Sequence, residues 1–506
     1  MTIVILALAN LTRLRLAADL DGNLKNMQTM LTWALSFVLL LSWFLFFSRF
    51  RPRMRWIGLA VVILLGFAVR STVRFDGSVS GSGMPKLAWK WTPKRTGEVA
   101  AVQKVTAPLP LQETPDDYPG YLGRDRRGVI ENVKLDPDWT SHPPERLWSQ
   151  PIGLGWSAFA IVGQSAITQE QRAGQEVVVS YDLKSGKTIW MASHDVRFSE
   201  PMGGDGPRST PMFDSGRIYA LGGTGLLDCL DAATGKHLWT RDTLNELGLK
   251  NVNFGKTSSP LVCDGVVIVS GGQDNKNTLL AYHCADGSPA WQAGTDKASY
   301  SSPMVATLAG RKQIVSINAA SITAHDPADG RILWQRAWGQ DQWPKCAQPV
   351  VVGEDRLLLA ASFNAGTILV QIKAEPNDQF SVTDVWKNNH MKSEFSNVVT
   401  KDGYIYGLDD GILACLDVAT GERKWKGGHY GHGQVILVGD LLLVQTEQGP
   451  VALAEAKPDA FHEAAKLDAL HAKTWNTPAL AGSYLLVRND QEAACFKLPL
   501  SSAKAP

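Results

Sequence analysis

Short apolar segments alternate with turn residues from about residue 145 to residue 498. Five segments end in a turn followed by a tryptophan: YDLKSGKTIW, LDAATGKHLW, YHCADGSPAW, HDPADGRILW and LDVATGERKW. They share Asp-x-x-[Ser/Thr/Asp]-Gly-x-x-x-Trp, with Cys284 in place of the Asp in the third. The Asp accepts hydrogen bonds from turn N–H groups, and the Gly supplies a positive φ at the corner. The pattern therefore predicts a series of β-hairpins whose second strand carries the Trp four residues after the Gly.

A tryptophan marks nearly every copy of this repeat. Weaker copies end PPERLW and VTDVW, and after the last strong copy Leu467 lies near the place expected for an eighth. Successive marks lie 39–52 residues apart, which is typical of four-stranded propeller blades. We predict that the tryptophans are structural and fill the wedge between neighbouring blades. They are Trp148, Trp190, Trp239, Trp291, Trp334, Trp386 and Trp425.

Each blade opens with a small polar lead, an apolar strand, a turn and another strand, as in RSTPMFDSGRIYAL and WNTPALAGSYLLV. These strands are predicted to lie innermost, beside the central channel. The strand at residues 494–498 is expected to pair with the strand around residues 146–148, which closes the ring and removes free edges. The predicted fold is all-β: an eight-bladed β-propeller of four-stranded blades over residues 145–498.

Two apolar runs precede the propeller, Met30–Phe47 and Ile57–Val69, separated by a segment with four arginines in seven residues (49, 51, 53 and 55). At about 1.5 Å per residue the first run nearly crosses a bilayer core of about 30 Å. We predict a transmembrane helical hairpin over residues 30–70. The positive-inside rule places the arginine loop in the cytoplasm and the propeller in the periplasm, anchored in a bacterial inner membrane. Two alternatives stay open, a single signal-anchor at the second run and a removed signal peptide.

The remaining segments carry no repeat. Residues 1–29 are a flexible lead or the product of an over-long start, with Met27 or Met30 as alternative starts. Residues 71–117 are predicted to be a linker, in which Trp89 and Trp91 suit one face of a short strand or a membrane-interface belt. Residues 118–144 form a prelude expected to drape over the propeller without adding a blade, and residues 499–506 a flexible tail.

Composition narrows the function. The net charge of +1 gives no bulk field for nucleic acid, so no nucleic-acid partner is expected. Six cysteines occur without a CxxC motif or an adjacent pair, which argues against a zinc knuckle or a redox dithiol. Cys229 and Cys415 share one repeat position and are predicted to be small buried strand residues. The segment HDVRFSE offers His194, Asp195 and Glu200 without metal-ligand spacing, so a surface loop and no metal site are expected.

The turn motif resembles the pyrroloquinoline quinone (PQQ)-type propeller repeat, found in quinoprotein alcohol dehydrogenases and in the lipoprotein of the outer-membrane β-barrel assembly machine. A closer resemblance is to membrane-anchored bacterial propellers of the PQQ-binding-like repeat group, carried by GGDGPRSTP, ASYSSPM, WKNNHMKSEFSN and YPGYLGRDRRGV. The dehydrogenase resemblance implies PQQ, a calcium ion with oxygen ligands, an Asp base and a vicinal disulfide against the quinone. The vicinal cysteine pair, the extended site loops and a CxxCH haem motif are absent from this sequence. No cofactor is therefore expected, and PQQ with calcium belongs to the alternative of a PQQ-dependent dehydrogenase.

The loops that lead into the inner strands are the candidate binding site, because propellers present their variable loops around the channel mouth. A cation recurs at equivalent places, so Arg208, Lys256, Lys345 and Lys473 are predicted to line a basic funnel. Solvated charges on a loop rim are the alternative. The full candidate set is Asp205, Arg208, Lys256, Tyr300, Lys345, Asn389, Lys392, Tyr430, His432, Lys473 and Trp475.

Together these patterns predict a membrane-anchored, periplasm-facing propeller that acts as a non-catalytic binding or assembly scaffold. Its predicted partner is a periplasmic or membrane protein, or an anionic small ligand. No catalytic residue is assigned.

Overall fold

A computed structural model describes residues 2–17, 20–95, 97, 99 and 111–501. The chain divides into two compact units, residues 1–95 with 201–204, and residues 96–200 with 205–506. Part of the predicted linker (residues 96, 98 and 100–110) and the end of the predicted tail (residues 502–506) lie outside the described residues.

The first unit contains three helices and a hairpin. Helix α1 (Thr2–Leu16) lies in the predicted flexible lead, and α2 (Gly22–Ser42) continues as a π-helical turn, Trp43–Phe47. Helix α2 with its turn and α3 (Pro52–Thr72) are long and apolar enough to cross a membrane. The two predicted spans are therefore helical and begin earlier than predicted. Strands β1 (Val73–Ser78) and β2 (Pro85–Trp89) pair antiparallel within the predicted linker.

The second unit is the propeller. Before its first complete blade come β3 (Val129–Ile130) and β4 (Glu145–Pro151), and two short strands, β9 (Ser199–Glu200) and β10 (Gly204–Asp205), separate blades 1 and 2. Blade 1 consists of β5 (Ala160–Val162), β6 (Ser165–Arg172), β7 (Gln175–Asp182) and β8 (Thr188–His194), and blade 2 of β11 (Met212–Asp214), β12 (Arg217–Leu221), β13 (Leu226–Asp231) and β14 (His237–Asp242). Blade 3 consists of β15 (Leu261–Cys263), β16 (Val266–Ser270), β17 (Leu279–His283) and β18 (Pro289–Ala293), and blade 4 of β19 (Met304–Leu308), β20 (Arg311–Ile317), β21 (Ser321–His325) and β22 (Ile332–Ala337).

Blade 5 consists of β23 (Val350–Val352), β24 (Arg356–Ala361), β25 (Gly366–Glu375) and β26 (Gln379–Asn388), and blade 6 of β27 (Val399–Lys401), β28 (Tyr404–Asp409), β29 (Ile412–Asp417) and β30 (Arg423–His429). Blade 7 consists of β31 (Gln434–Val438), β32 (Leu441–Gln445), β33 (Val451–Glu455) and β34 (Glu463–Leu467). Blade 8 contains β35 (Ala479–Ala481), β36 (Tyr484–Arg488) and β37 (Glu492–Lys497). Single 3-10 turns occur at Asn245–Leu247 and Pro376–Asp378.

Eight sheets follow one another around the ring, and the predicted eight-bladed fold is confirmed. The last blade combines β35, β36 and β37 with the early strand β4, where Cys495 pairs with Trp148. The chain thus closes the ring with the strand predicted from residues 146–148. First strands of neighbouring blades contact one another, which places them around the central channel.

The tryptophan of one blade packs on the glycine turn of the next. Trp190 Nε1 donates to the Ala232 carbonyl of blade 2 at 3.0 Å, and a side chain at Gly235 would collide with the Trp190 ring. The glycine is therefore required by this close approach as well as by its φ of +71°. Trp148, Trp239, Trp291, Trp386 and Trp425 also donate to a carbonyl in the next blade, at 2.8–3.3 Å.

Two tryptophan positions depart from this pattern for physical reasons. Blade 5 has the long hairpin of β25 and β26 in place of a glycine turn, and Trp334 donates instead to Gln313 Oε1 of its own blade at 2.7 Å. In the other blades the tryptophan is the last residue paired with the neighbouring strand before a register shift. The residue at this place in blade 7 is Ala465, which pairs with Leu453. The sequence assignment of Leu467 was therefore two residues late.

The residue opposite each tryptophan is often small, because the indole ring and a large neighbour cannot share the wedge between blades. Cys229, Cys415 and Cys495 occupy this position, paired with Trp239, Trp425 and Trp148. All three cysteines are fully buried, as expected for Cys229 and Cys415 from their shared repeat position.

Residues 118–130 of the prelude lie inside the ring of first strands. This part is bounded by two turns between first and second strands, where Asp117 accepts from the Gly163 N–H and Ile130 from the Gly439 N–H. Strand β3 pairs in parallel with β31, so the prelude adds a fifth strand to one blade. The prelude was predicted to drape over the propeller without adding a blade; in the structure apolar side chains such as Leu122 pack on the inner strands.

The described part of the predicted tail is tied to the prelude. Asp136 donates its N–H to the Pro499 carbonyl at 3.0 Å, and Ser501 donates to the Lys134 carbonyl at 2.9 Å. Residues 499–501 are therefore bound by backbone hydrogen bonds, in contrast to the flexible tail predicted for them.

Candidate functional site

A ring of buried polar side chains joins the blades where the chain enters each first strand. At each of the eight junctions a hydrogen bond of 2.8–3.3 Å connects one entering loop with the next, through side chains of the small polar leads. We call these side chains the polar ring: Thr210, Ser259, Ser299, Ser302, Asn397, Gln434 and Asn476. Small polar residues recur at these leads because they satisfy backbone groups that would otherwise be buried without partners.

Two prelude side chains reach the polar ring from inside the channel. Arg126 is 4% exposed and donates to the carbonyls of Ser259, Pro260 and Pro303, at 3.0, 2.7 and 2.6 Å. Tyr121 Oη accepts from Asn397 Nδ2 at 2.8 Å. Burial lowers the pKa of Arg126 to about 10, so its guanidinium stays charged at neutral pH. The axis of the propeller is therefore filled by this chain at the level of the polar ring.

Every loop that enters a first strand also carries an aromatic ring. We call this set the aromatic rim: Trp156, Phe198, Phe254, Tyr300, Trp343, Phe395, His432 and Trp475. All are partly exposed except His432, which is buried. The rim therefore places one aromatic ring per blade around the mouth of the channel.

The aromatic rim is densest across blades 6, 7, 8 and 1. The ring centroids of Trp156 and Trp475 are 4.7 Å apart, and those of Trp475 and Phe395 are 5.1 Å apart. Lys473 Nζ lies 3.9 Å from the Trp475 ring centroid, within the range of a cation–π interaction. Glu447 fixes this group, because its carboxylate accepts from Trp475 Nε1 at 2.8 Å and from the His432 N–H at 3.1 Å.

The buried lysines among the predicted residues bind the protein itself. Lys256 is fully buried and donates to the carbonyls of Ser270 and Gly271. Lys345 is 2% exposed and donates to three backbone carbonyls, including that of Gln340 at 2.9 Å. Burial lowers the pKa of Lys256 to about 7 and that of Lys345 to about 8. Two of the four cations predicted to line a basic funnel are thus buried, and a role in ligand contact stays a prediction for them.

Lys392 and Asp205 are held by close partners. Lys392 Nζ lies 2.8 Å from the Asp409 carboxylate and donates to the Asn389 carbonyl at 3.2 Å. Asp205 accepts from Ser199 Oγ at 2.6 Å and from Arg197 at 3.2 Å. These contacts are local to the entering loops.

Four predicted residues, Tyr300, His432, Lys473 and Trp475, belong to the mouth. Arg208 joins them, because its guanidinium lies 4.8 Å from the ring centroid of Phe198. Tyr430 does not, since its hydroxyl donates to Glu463 on the outer strand β34. The structure brings together a mixed aromatic and charged surface rather than a row of cations.

Six residues of the mouth are absent from the set predicted from the sequence: Trp156, Phe198, Phe254, Trp343, Phe395 and Glu447. A signal was present for the rings, because Trp156, Phe395 and Trp475 each directly precede the small polar lead of a blade. Nothing in the repeat marks Glu447, which follows β32 in blade 7.

The residues at the axis do not match the PQQ arrangement implied by the dehydrogenase resemblance. Arg126 and Tyr121 fill the channel beneath the rim with hydrogen bonds to blades 3, 4 and 6. The sequence also lacks the vicinal cysteine pair that would cover one face of the quinone.

The eight blades and their Asp-Gly-Trp docking turn identify a repeat protein of the PQQ-like propeller class. Residues 174–427 match the family model described as outer membrane protein assembly factor BamB. The chain belongs to this family.

Curated relatives carry the same description. The protein of Moranella endobia is 24% identical over 231 residues, which are 43% of this chain and 56% of that protein. The Bordetella pertussis protein is 23% identical over 296 residues, 55% of this chain and 67% of that protein. The match thus spans little more than half the length of the first relative.

Two solved structures share the fold. BamB from Moraxella catarrhalis has a TM-score of 0.52 at 16% identity, covering 71% of this chain and 99% of that one. A europium-containing methanol dehydrogenase has a TM-score of 0.55 at 13% identity, covering 77% and 99%. At these identities the likeness is one of fold.

Proposed function

We propose that this protein is a membrane-anchored, periplasm-facing scaffold that binds a protein partner at the aromatic rim and performs no catalysis. The observation that carries the proposal is the rim itself, one aromatic ring in each entering loop, most of them partly exposed. Large, rigid aromatic side chains are the residues that most often dominate the energetics of protein interfaces.

Three further features support a binding scaffold. The channel beneath the rim is filled by Tyr121 and Arg126, so a partner would engage the mouth as a surface. The family model and curated relatives are named for outer membrane protein assembly, which favours a protein partner over an anionic small ligand. Helices α2 and α3 suit an inner-membrane anchor, and the arginines between them suit a cytoplasmic loop.

The proposal is tested by placing an aromatic photo-crosslinking amino acid, which keeps a ring at the position, at Trp475 and, in a second strain, at Leu238. Leu238 is 44% exposed on the outer strand of blade 2 and serves as the matched surface control. Adducts to one defined protein from position 475 and none from 238 are expected. Trp475→Ala should weaken binding of that protein by about 30-fold, the effect of a 2 kcal/mol interface residue, while Leu238→Ala leaves it unchanged.

Equal crosslinking from the two positions, or no effect of Trp475→Ala, would refute binding at the rim. The non-catalytic part is tested separately by adding PQQ and calcium and following dye reduction with alcohol substrates. Turnover that depends on PQQ would overturn it.

A further inference from the structure

A second cluster of interacting side chains lies away from the mouth, between the outer parts of blades 1 and 2. It consists of His194 at the end of β8, Asp228 on β13 and His237 at the start of β14. His194 Nε2 is 2.9 Å from each Asp228 oxygen, and His237 Nδ1 is 3.4 Å from Asp228 Oδ1. One ligand atom from each of the three residues lies within 4.8 Å of the others.

Two imidazole nitrogens and a carboxylate oxygen are a donor set that suits a divalent transition ion, Zn²⁺ above all. A tetrahedral Zn²⁺ with ligand distances of about 2.0–2.1 Å places neighbouring donor atoms about 3.3 Å apart. The two nitrogen–oxygen separations in the cluster, 2.9 and 3.4 Å, lie on either side of this value. The centroids of the two imidazole rings are 4.9 Å apart and the rings are inclined by 74°, so they are not stacked.

The surroundings also match a coordination site. The Asp228 side chain is 6% exposed, whereas the His194 and His237 side chains are 27% and 37% exposed, which leaves an open side for water as a fourth ligand. Thr240 Oγ1 donates to Asp228 Oδ1 at 2.6 Å and fixes the carboxylate. An outer hydrogen bond of this kind orients metal-binding carboxylates in known sites.

The carboxylate of Asp228 is approached by an imidazole from each of the two blades and by the hydroxyl of Thr240. His194 lies on the outer strand of blade 1, and Asp228 and His237 lie on the paired strands β13 and β14 of blade 2, so little reorganisation is needed to bind an ion. The 2-His-1-Asp arrangement is invisible in the sequence, since His194 and Asp228 are 34 residues apart.

We propose that His194, Asp228 and His237 bind one Zn²⁺ ion that connects blade 1 to blade 2. Such an ion stabilises the folded propeller by mass action, because the unfolded chain lacks the assembled ligand set. The site is independent of the binding function proposed for the mouth. Asp195 and Glu200 of the same sequence segment take no part.

The test uses the full-length protein in detergent, purified through a tag without histidine and freed of metal with a chelator. Titration with Zn²⁺ alone, followed by calorimetry, should show one equivalent bound. His194→Gln and His237→Gln should each weaken the Kd by at least 10-fold. His283→Gln is the matched control, because His283 is an exposed histidine at the end of β17 in blade 3.

Thermal unfolding gives a second readout. Zn²⁺ should raise the Tm of the native protein and of His283→Gln, and should leave the Tm of the double variant His194→Gln/His237→Gln unchanged. Because His237 is partly exposed, its single variant tests the site even if the double variant does not fold. Absence of saturable binding below about 100 μM Zn²⁺, or equal binding by His237→Gln and the native protein, would overturn the proposal.

Discussion

The contact between the glycine turn of one blade and the tryptophan of the preceding blade can be tested with Gly235→Ala. Gly235 has a φ of +71°, and an added Cβ would lie 2.6 Å from Cδ2 of Trp190, with Cε3 closer still. The substitution therefore strains the backbone and pushes the indole ring out of its wedge. Gly216, in another turn of the same blade, has a φ of +77° and no atom within 4 Å of its added Cβ.

The two substitutions separate the two costs. A side chain in the left-handed region costs about 1–2 kcal/mol, which is the whole effect expected for Gly216→Ala. Overpacking a close contact adds about 1–3 kcal/mol, so Gly235→Ala should cost about 2–5 kcal/mol. The difference between the variants measures the packing of Trp190 against the turn.

A double-mutant cycle with Trp190→Ala isolates this contact. Trp190→Ala alone should cost about 3–5 kcal/mol, because it removes a large buried ring. Without the ring, Gly235→Ala should cost no more than Gly216→Ala, which gives a coupling energy of about 1–3 kcal/mol. The assay is urea unfolding of the full-length protein in detergent, followed by far-UV circular dichroism.

Two results would refute this reasoning. Equal costs for Gly235→Ala and Gly216→Ala would show that the turn tolerates a Cβ beside the ring. Strict additivity of Gly235→Ala and Trp190→Ala would show that the turn and the tryptophan are not coupled.

Three further predictions concern buried polar groups. Burial lowers the pKa of Lys256 to about 7, so the unfolded chain binds more protons than the folded protein between pH 7 and about 10. The free energy of unfolding should therefore rise with pH in this range by about 2–4 kcal/mol. Urea titrations at several pH values should show that Lys256→Met loses this rise, whereas Lys250→Met, at an exposed lysine, keeps it. Asn476→Ala removes a 2.8 Å bond between blades 8 and 1 and should lower the free energy of unfolding by about 1–3 kcal/mol; a loss below about 0.5 kcal/mol would contradict a supporting role for the polar ring. Arg126→Met leaves three buried carbonyls without the guanidinium donor and should speed hydrogen exchange in residues 118–130. Arg127→Met, at an exposed arginine, should not change the exchange rates. Equal exchange in the two variants would argue against Arg126 as the anchor of the prelude.

The propeller could be predicted from the sequence because each blade repeats the same local turn chemistry. Asp, Gly and Trp act within ten residues of one another, and their spacing is independent of the rest of the ring. The local signal is lost in blade 7, where Ala465 replaces the tryptophan two residues before Leu467, which the sequence placed near the expected position. The turn that identifies a blade is absent there, so only strand pairing fixes the position.

The site was harder to predict because its properties depend on neighbours distant in sequence. Lys256 and Lys473 both precede a small polar lead, yet Lys256 is fully buried and Lys473 lies beside the partly exposed Trp475. The difference comes from which carbonyls or rings lie next to each ammonium group. Arg126 shows the same limit, since its three acceptors lie more than 130 residues away in sequence.

The prelude and the aromatic rim together determine what kind of surface the mouth offers. Arg126 binds backbone carbonyls of blades 3 and 4, and Tyr121 binds Asn397 in blade 6, so the entering loops are held from below. Rings such as Trp475 are held from the side by Glu447. A surface fixed in this way loses little conformational freedom when a partner binds, and this lowers the entropic cost of association. Plugging the channel and presenting aromatic rings are therefore two parts of one arrangement, which supports the proposed docking of a protein surface.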